Sequence, residues 1–341
     1  MSIETLLCPA DQAGVARAAA LLRQGEIIAL PTETVYGIAA DARNGSAVKK
    51  IFAAKGRPQD NPLIVHIDDV KMLPGLVSEY PERAQLLAAA FWPGPLTIIM
   101  PRGDEVADEC CAGLDTVGIR MPSHPVVRQV IEASGCAFAA PSANRSGRPS
   151  PTTAQHMLED MDGKIQCLVD GGPCAVGVES TVVSVAGEKP VLFRPGYITL
   201  EDLERALGEE VELSPAILEK LAEGEVARSP GMKYKHYAPK ADITILNGSF
   251  DQFKAYVQAH ADQDPACLCF TGEAAQLPFP CVEYGREGDG DDQARHIFRS
   301  LRALDEQGDR VVYARCPQKD GVSMAVYNRL IRAAAFRVID L

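Results

Sequence analysis

Two cations stand close together in "KIFAAKGRPQDNPLIVHI", residues 50–67: Lys55 and Arg57. They fall where a short helical stretch stops, at Gly56 and Pro58, just before an apolar run that reads as a strand. A helix C-terminus carries partial negative charge, so cations are at home there with no ligand at all. The same pair, aimed into a loop between helix and strand, is equally equipped to meet an anion. Other polar residues recur at strand ends. Thr32 and Thr34 follow the strand 27–31, and His66 sits at the end of "PLIVHI". Arg120 lies in "GIRMP", Ser142 and Asn144 in "APSANRSG", Ser180 and Thr181 in "VESTVV", and Arg194 in "FRPG". Open α/β sheets bind ligands where strands hand over to loops, which would let these residues share one crevice. Lys55, Arg57, Arg120 and Arg194 gathered there would suit phosphates and a carboxylate. Each residue alone has a plainer reading. A histidine in an apolar strand is commonly a hydrogen-bonded core residue, and Ser, Thr and Asn after a strand commonly close turns on their own backbone. The accumulation marks a site, and spacing alone does not identify the ligand.

The usual nucleotide signatures are missing. No Gly-x-x-x-x-Gly-Lys-Ser/Thr loop occurs, and no Gly-x-Gly-x-x-Gly follows a strand. Neither His-Glu-x-x-His nor paired Cys-x-x-Cys is found, and six scattered histidines offer no ligand spacing.

The elements that must position these residues alternate between helix and strand. Helices are expected over 13–24, capped by Gly25, over 46–55, and from Pro81 through "PERAQLLAAAFW". Ser123 is expected to cap the helix after "GIRMP". Thr152 with Gln155 resembles a capping box, and Thr199 with Asp202 opens a further helix. "IIALP", "PLIVHI", "PLTIIM", "TVGIRM", "CAFAAP", "IQCLVD", "ESTVVSV" and "PVLFRP" read as strands. Crossovers mixed with hairpins predict an α/β fold with a mixed sheet. Around 208–240 the pattern breaks: a short charged helix, "AILEKLAEGE", gives way to aperiodic, basic "VARSPGMKYKHYAPKA". The expected division is a catalytic domain over 1–207, a linker over 208–240, and a small doubly wound α/β domain over 241–341.

Composition narrows the class. The 341 residues are 46% hydrophobic and 23% charged, which is globular rather than disordered. A net charge of -12 argues against a surface built to grip nucleic acid across a whole face. No apolar run reaches membrane-spanning length, and the N-terminus lacks the basic and apolar regions of a signal peptide. The ten irregularly spaced cysteines are expected to be reduced thiols of a cytoplasmic protein.

Six ordered stretches, "LPTETVYGIAADA", "KGRPQDNPLIVHI", "WPGPLTII", "VGIRMPSHP", "APSANRSGRPSPT" and "FRPG", resemble the YrdC-like domain of L-threonylcarbamoyladenylate synthases. The likeness runs collinearly over residues 13–200. "SPGMKYKHYAPKA" followed by a small α/β unit resembles the two-domain type. The resemblance implies a YrdC-like twisted mixed sheet with a concave pocket, plus a small Rossmann-like C-terminal domain. It implies that L-threonine, bicarbonate and ATP become threonylcarbamoyl-AMP and pyrophosphate, with Mg2+ accompanying ATP. The product would pass to a tRNA threonylcarbamoyl transferase complex. Lys55, Arg57 and Arg194 are then expected at the triphosphate, and Asn61, Thr116, Ser142, Asn144 and Ser150 around the nucleotide. Thr34, His66, Arg120, the Ala140 backbone and Ser180 are expected around threonine, Arg120 pairing its carboxylate. The linker would fold over the pocket with Tyr234 reaching ATP. Two rival readings use the same domain: a carbamoyl-adenylating maturation factor, and an RNA-binding protein with a basic concave face.

Overall fold

A computed structural model describes residues 3–219, 229, 240–308 and 310–341. The first unit contains β1 (Leu6–Pro9), α1 (Gln12–Arg23), β2 (Ile28–Leu30), β3 (Gly37–Asp41), α2 (Gly45–Lys55) and β4 (Ile64–His66). It continues through α3 (Glu82–Phe91), β5 (Leu96–Pro101), α4 (Asp108–Cys111), β6 (Thr116–Arg120), α5 (Pro125–Ser134) and β7 (Phe138–Ala139). Then come α6 (Ala154–Met161), β8 (Cys167–Asp170), β9 (Thr181–Ser184), β10 (Val191–Arg194), α7 (Leu200–Leu207) and β11 (Glu212–Leu213). Its eleven strands form one mixed sheet in the order β1-β8-β2-β3-β7-β4-β6-β5-β9-β10-β11. A large apolar cluster built around Ile38, Ile51, Leu87, Ile98 and Ile119 packs one face, and a second, around Leu22, Val130, Ile131 and Phe138, packs the other.

The second unit contains β12 (Asp242–Asn247), α8 (Phe250–Ala259), β13 (Ala266–Cys269), β14 (Cys281–Glu283), α9 (Gly290–Glu306), β15 (Val311–Arg315), α10 (Ser323–Ala333) and β16 (Val338–Asp340). Its five strands are all parallel, in the order β14-β13-β15-β12-β16. Both the mixed sheet and the small doubly wound unit match the expected fold class. The units share a core, because Val35 and Val178 of the first sit in the second unit's apolar cluster. Gly177 is required at that seam: its φ is +85°, and a Cβ there would meet the Ala294 carbonyl of α9 at 2.4 Å.

Three helix details depart from expectation. His124, not Ser123, caps α5: its ring accepts from the Val126 N–H, and Pro125 follows at the first helical position, where a missing N–H costs nothing. Thr153, not Thr152, caps α6, accepting from the His156 N–H at 3.2 Å. Residues 215–217, overlapping the expected start of a charged helix, form only a 3-10 turn. The Ala216 and Ile217 carbonyls instead accept from Arg332 and Asn328 of α10, so they are spent on tertiary contacts. The remainder of that stretch from residue 220 lies outside the described residues, as does Tyr234. β11, inside the stretch read as linker, pairs with β10 at the sheet edge. The Thr199–Asp202 capping box is present. All ten cysteines are free thiols.

Candidate active site

The spacing of α2 decides where Lys55 points. Asn44 caps the helix, and its buried face runs Ala47, Val48, Ile51, Phe52, Lys55, a helical stripe that ends on the cation. Gly56 then breaks the helix with φ +62°. Lys55 is therefore turned inward rather than solvated, and only 4% of it is exposed. Its ammonium donates to the Ser142 carbonyl, to the Asn144 carbonyl at 2.6 Å, and toward Asn144 Oδ1 at 3.5 Å. Burial first, and the Arg57 charge second, hold this amine well below its ordinary range, with Asp160 and Glu179 partly offsetting them. The loop it holds is knitted further. Ser142 Oγ donates to Asn144 Oδ1 at 2.6 Å, and Asn144 Nδ2 donates to the Arg145 and Arg148 carbonyls at 2.8 Å each.

Sheet register builds the other end. His66 on β4 pairs with Arg120 on β6, and Arg120 pairs with Thr97 on β5. Directly paired residues send their side chains to one face, so these three form a polar row across otherwise apolar strands. Arg120 Nη1 donates to Thr34 Oγ1 at 3.0 Å, and Nη2 lies 2.7 Å from Glu33 Oε1. Thr34 is fixed in turn by Thr32, whose hydroxyl lies 2.8 Å away and caps the Thr34 and Val35 N–H groups. His66 is fully buried, and its Nδ1 faces the Ile64 carbonyl at 3.2 Å. Burial, then Arg120, push its pKa down to about 3, so the ring is neutral. The row continues sideways: Thr97 Oγ1 is 2.8 Å from Ser180 Oγ, and Arg194 holds both the Ser180 hydroxyl and carbonyl at 3.0 Å.

These two constructions face one crevice of about 880 Å³. It is lined by Thr32, Thr34, Lys55, Arg57, His66, Arg120, Ala140, Ser142, Asn144, Ser180 and Arg194, so all four anticipated cations converge. Ser150 is buried behind it and donates to Glu179 Oε1 at 2.5 Å. Thr116 is not brought in; it lines a smaller neighbouring cavity with Pro62, Cys110 and Val182. Asn61 is buried nearby, with neither amide atom hydrogen-bonded among the described residues. The Thr181 hydroxyl is spent on the Ile198 carbonyl at 2.6 Å. Sequence reading passed over two carboxylates, Glu33 and Glu179. Both sit beside threonines or serines already singled out, in "TETVYG" and "VESTVV", and that adjacency was the available signal. Among the described residues no cluster of three or more His, Cys, Asp or Glu side chains is arranged to hold a metal, and no helix is long and apolar enough to cross a membrane.

Residues 20–196 match the model of the Sua5/YciO/YrdC family, described as "Telomere recombination". Residues 198–335 match the model described as "Threonylcarbamoyl-AMP synthase, C-terminal domain". The chain belongs to the threonylcarbamoyl-AMP synthase family. The family member from Pyrococcus abyssi (strain GE5 / Orsay) is 43% identical over 325 residues, 95% of either chain. That from Bacillus subtilis (strain 168) is 45% identical over 332 residues, 95% of this chain and 94% of the other. The structure of P. abyssi Sua5 complexed with L-threonine superposes with a TM-score of 0.90 at 38% identity, covering 99% of this chain and 100% of that one. Threonylcarbamoyl-AMP synthases are ATP-using nucleotidyltransferases of the tRNA threonylcarbamoyladenosine route.

Proposed function

We propose that the crevice joins L-threonine, bicarbonate and ATP into threonylcarbamoyl-AMP and pyrophosphate, with threonine at the Arg120 end and ATP at the Ser142–Ser150 end. The observation that carries this reading is the Arg120 guanidinium. It is 4% exposed, and its Nε has no hydrogen-bond acceptor among the described residues. A buried donor left unpaired is costly, and a ligand carboxylate bound edge-on is the group that satisfies it. Thr34, neutral His66, the Ala140 backbone and Ser180 surround the same space.

Threonine's amine attacks the carbon of bicarbonate, a C–O bond breaks, and water leaves to give a carbamate. A carbamate oxygen then attacks the α-phosphorus, and the bond to pyrophosphate breaks. An anion attacking a polyanion is slow unless fixed cations neutralise the charge as it gathers, and no enzyme nucleophile is required. Arg57 and Arg194 serve as those cations in this reading. Lys55 adds its charge from inside the loop that presents Ser142 and Asn144. Asn61 and Ser150 complete the nucleotide surroundings, Ser150 from behind Glu179; Thr116, in the neighbouring cavity, has no part in it. Mg2+ would enter with the phosphates of ATP. The lining does not fit a resident ion, because Glu179 is committed to Ser150 and to Arg329 at 2.9 Å, so no step is assigned to the metal. The division into a catalytic unit over 1–207 and an α/β unit over 241–341, a cytoplasmic setting, and delivery of product to a tRNA-modifying transferase complete the reading. Pyrophosphate release tests it, measured with threonine, with carbamoyl phosphate, and with neither. Threonine-dependent release is expected. Release driven by carbamoyl phosphate alone, or none in any mixture, would overturn it.

A further inference from the structure

We propose that Arg329 of α10 is a positioning residue for the nucleotide half of the site, holding the Ser150 hydroxyl in place through the Glu179 carboxylate. The inference rests on the reading above and extends the site into the second unit. Arg329 is wholly buried. Its Nε donates to Glu179 Oε2 at 2.9 Å and its Nη2 to the Glu179 carbonyl at 3.2 Å. Its Nη1 donates to the Pro195 carbonyl at 2.7 Å. Glu179 precedes Ser180, Pro195 follows Arg194, and Ser180 and Arg194 are bonded to each other. One guanidinium thus ties together the two strand ends that carry Ser180 and Arg194. The other oxygen of Glu179 accepts from Ser150.

A second arginine grips the same loop from behind. Arg302 of α9 donates to the Pro149 carbonyl and to Asp160 Oδ2, both at 2.6 Å, while Arg148 takes Asp160 Oδ1 at 2.6 Å. Ser150 is therefore fixed at its preceding carbonyl by Arg302 and at its hydroxyl, through Glu179, by Arg329. Charge separates this role from that of a strut. Glu179 lines a crevice built for a polyanion. Burial works against its ionisation, yet Arg329 and Arg194 outweigh burial and keep it below the usual carboxylate range. Without Arg329, a carboxylate beside the phosphates loses its counter-charge and Ser150 loses its anchor. Arg120, at the threonine end, is held by Thr34 and Glu33 and not by this chain of contacts.

The test uses full-length protein well below its unfolding temperature. Arg329→Met should raise the ATP requirement tenfold or more while moving the threonine requirement less than twofold. Arg329→Lys, which keeps charge without the planar fork, should fall between. Ser150→Ala should show the same ATP-selective pattern, and combining it with Arg329→Met should add little, because both cut one chain. An unchanged ATP requirement, equal rises for both substrates, or fully additive losses would overturn the proposal. Should Arg329→Met not fold, Arg329→Lys carries the test with an expected threefold rise. A wild-type protein silent with threonine would overturn the functional reading instead. Calorimetric ATP affinity of the same variants would still decide the role of Arg329.

Discussion

The two ends of the crevice are built by different means. At the Arg120 end, polar side chains stand in one row across paired strands, and their hydrogen bonds close within the first unit: Arg120 to Thr34, Thr34 to Thr32, Thr97 to Ser180. At the Lys55 end, a loop is held by a buried ammonium and braced by arginines from the second unit. Strand register is set by the hydrophobic pattern of the whole sheet, so the first end is rigid wherever the core is intact. Loop geometry has no such guarantor and depends on each bond that ties it. The amino-acid end should therefore be prearranged, and the nucleotide end should depend on distant support.

The largest effect is expected at the loop. Lys55→Ala should cut turnover a hundredfold or more, about 3 kcal/mol of transition-state stabilisation. It should also lower Tm, because the Ser142 and Asn144 carbonyls lose their donor, at a cost of roughly 1–3 kcal/mol. Arg57→Ala should reduce turnover similarly with a smaller Tm shift, since it takes no ammonium from the loop. Parallel steady-state assays and thermal melts check both, and full turnover in a destabilised Lys55→Ala would reduce Lys55 to a helix-end cation. Next in size is the strand end. Arg120→Lys keeps the charge but loses the fork that reaches Thr34 and leaves Nε for a carboxylate. The threonine requirement should rise about tenfold and the ATP requirement less than twofold. Equal rises would show that the two ends are one site without internal division.

Much of this was legible in the sequence, and unevenly so. The Lys55-x-Arg57 pair, Arg120 and Ser142-x-Asn144 were found because polar residues interrupt apolar strands or end them. The mixed sheet and parallel second unit followed from alternating periodicities. What escaped were the tertiary partners. That Lys55 turns inward was readable from Val48, Ile51 and Phe52 before it, yet its acceptors are backbone carbonyls, which carry no residue signature. Glu33 and Glu179 were hidden by adjacency, because an acid beside a threonine looks like ordinary turn chemistry. Arg302 and Arg329 lie on helices of a unit with no motif of its own, and their partners are 142 and 150 residues away. Short β1 and β11 were missed because they are edge strands of four and two residues, too short to display an alternating pattern.

A smaller effect distinguishes the ends by proton count. Burial and Arg57 depress the Lys55 amine in the free protein, and a bound triphosphate would restore its affinity for a proton. ATP binding should then take up protons, and affinity should weaken as pH rises through the free-protein pKa of Lys55. Calorimetry in buffers of different ionisation heat measures the uptake. An uptake unchanged in Lys55→Met would mean that the phosphates do not settle near this amine.

The smallest effect belongs to the strand end, and it concerns stability. His66 titrates near pH 3 in the folded chain because burial, then Arg120, oppose its charge, whereas an unfolded histidine titrates near 6.5. Below about pH 6.5 the unfolded state therefore binds the extra proton and the folded state does not. Stability should fall as pH drops from about 6.5 towards 3, by about 1.4 kcal/mol per unit, and this contribution should be flat above 6.5. The depressed His124 and His156 act in the same direction, so the slope must be assigned by difference. His66→Gln removes one titrating group, and its denaturant-unfolding free energy should decline less steeply between pH 6.5 and 5 than that of the parent. Threonine sharpens the point. Its carboxylate would neutralise Arg120 and relieve one of the two pressures on His66, but a pKa starting near 3 leaves the ring neutral at pH 7 whether threonine is bound or not. Threonine binding should thus move no proton at this residue, while ATP binding should raise the proton affinity of Lys55. Identical slopes for parent and His66→Gln would show that His66 takes up its proton equally readily in the folded chain, and the Arg120 end would then be open to water rather than closed by the sheet.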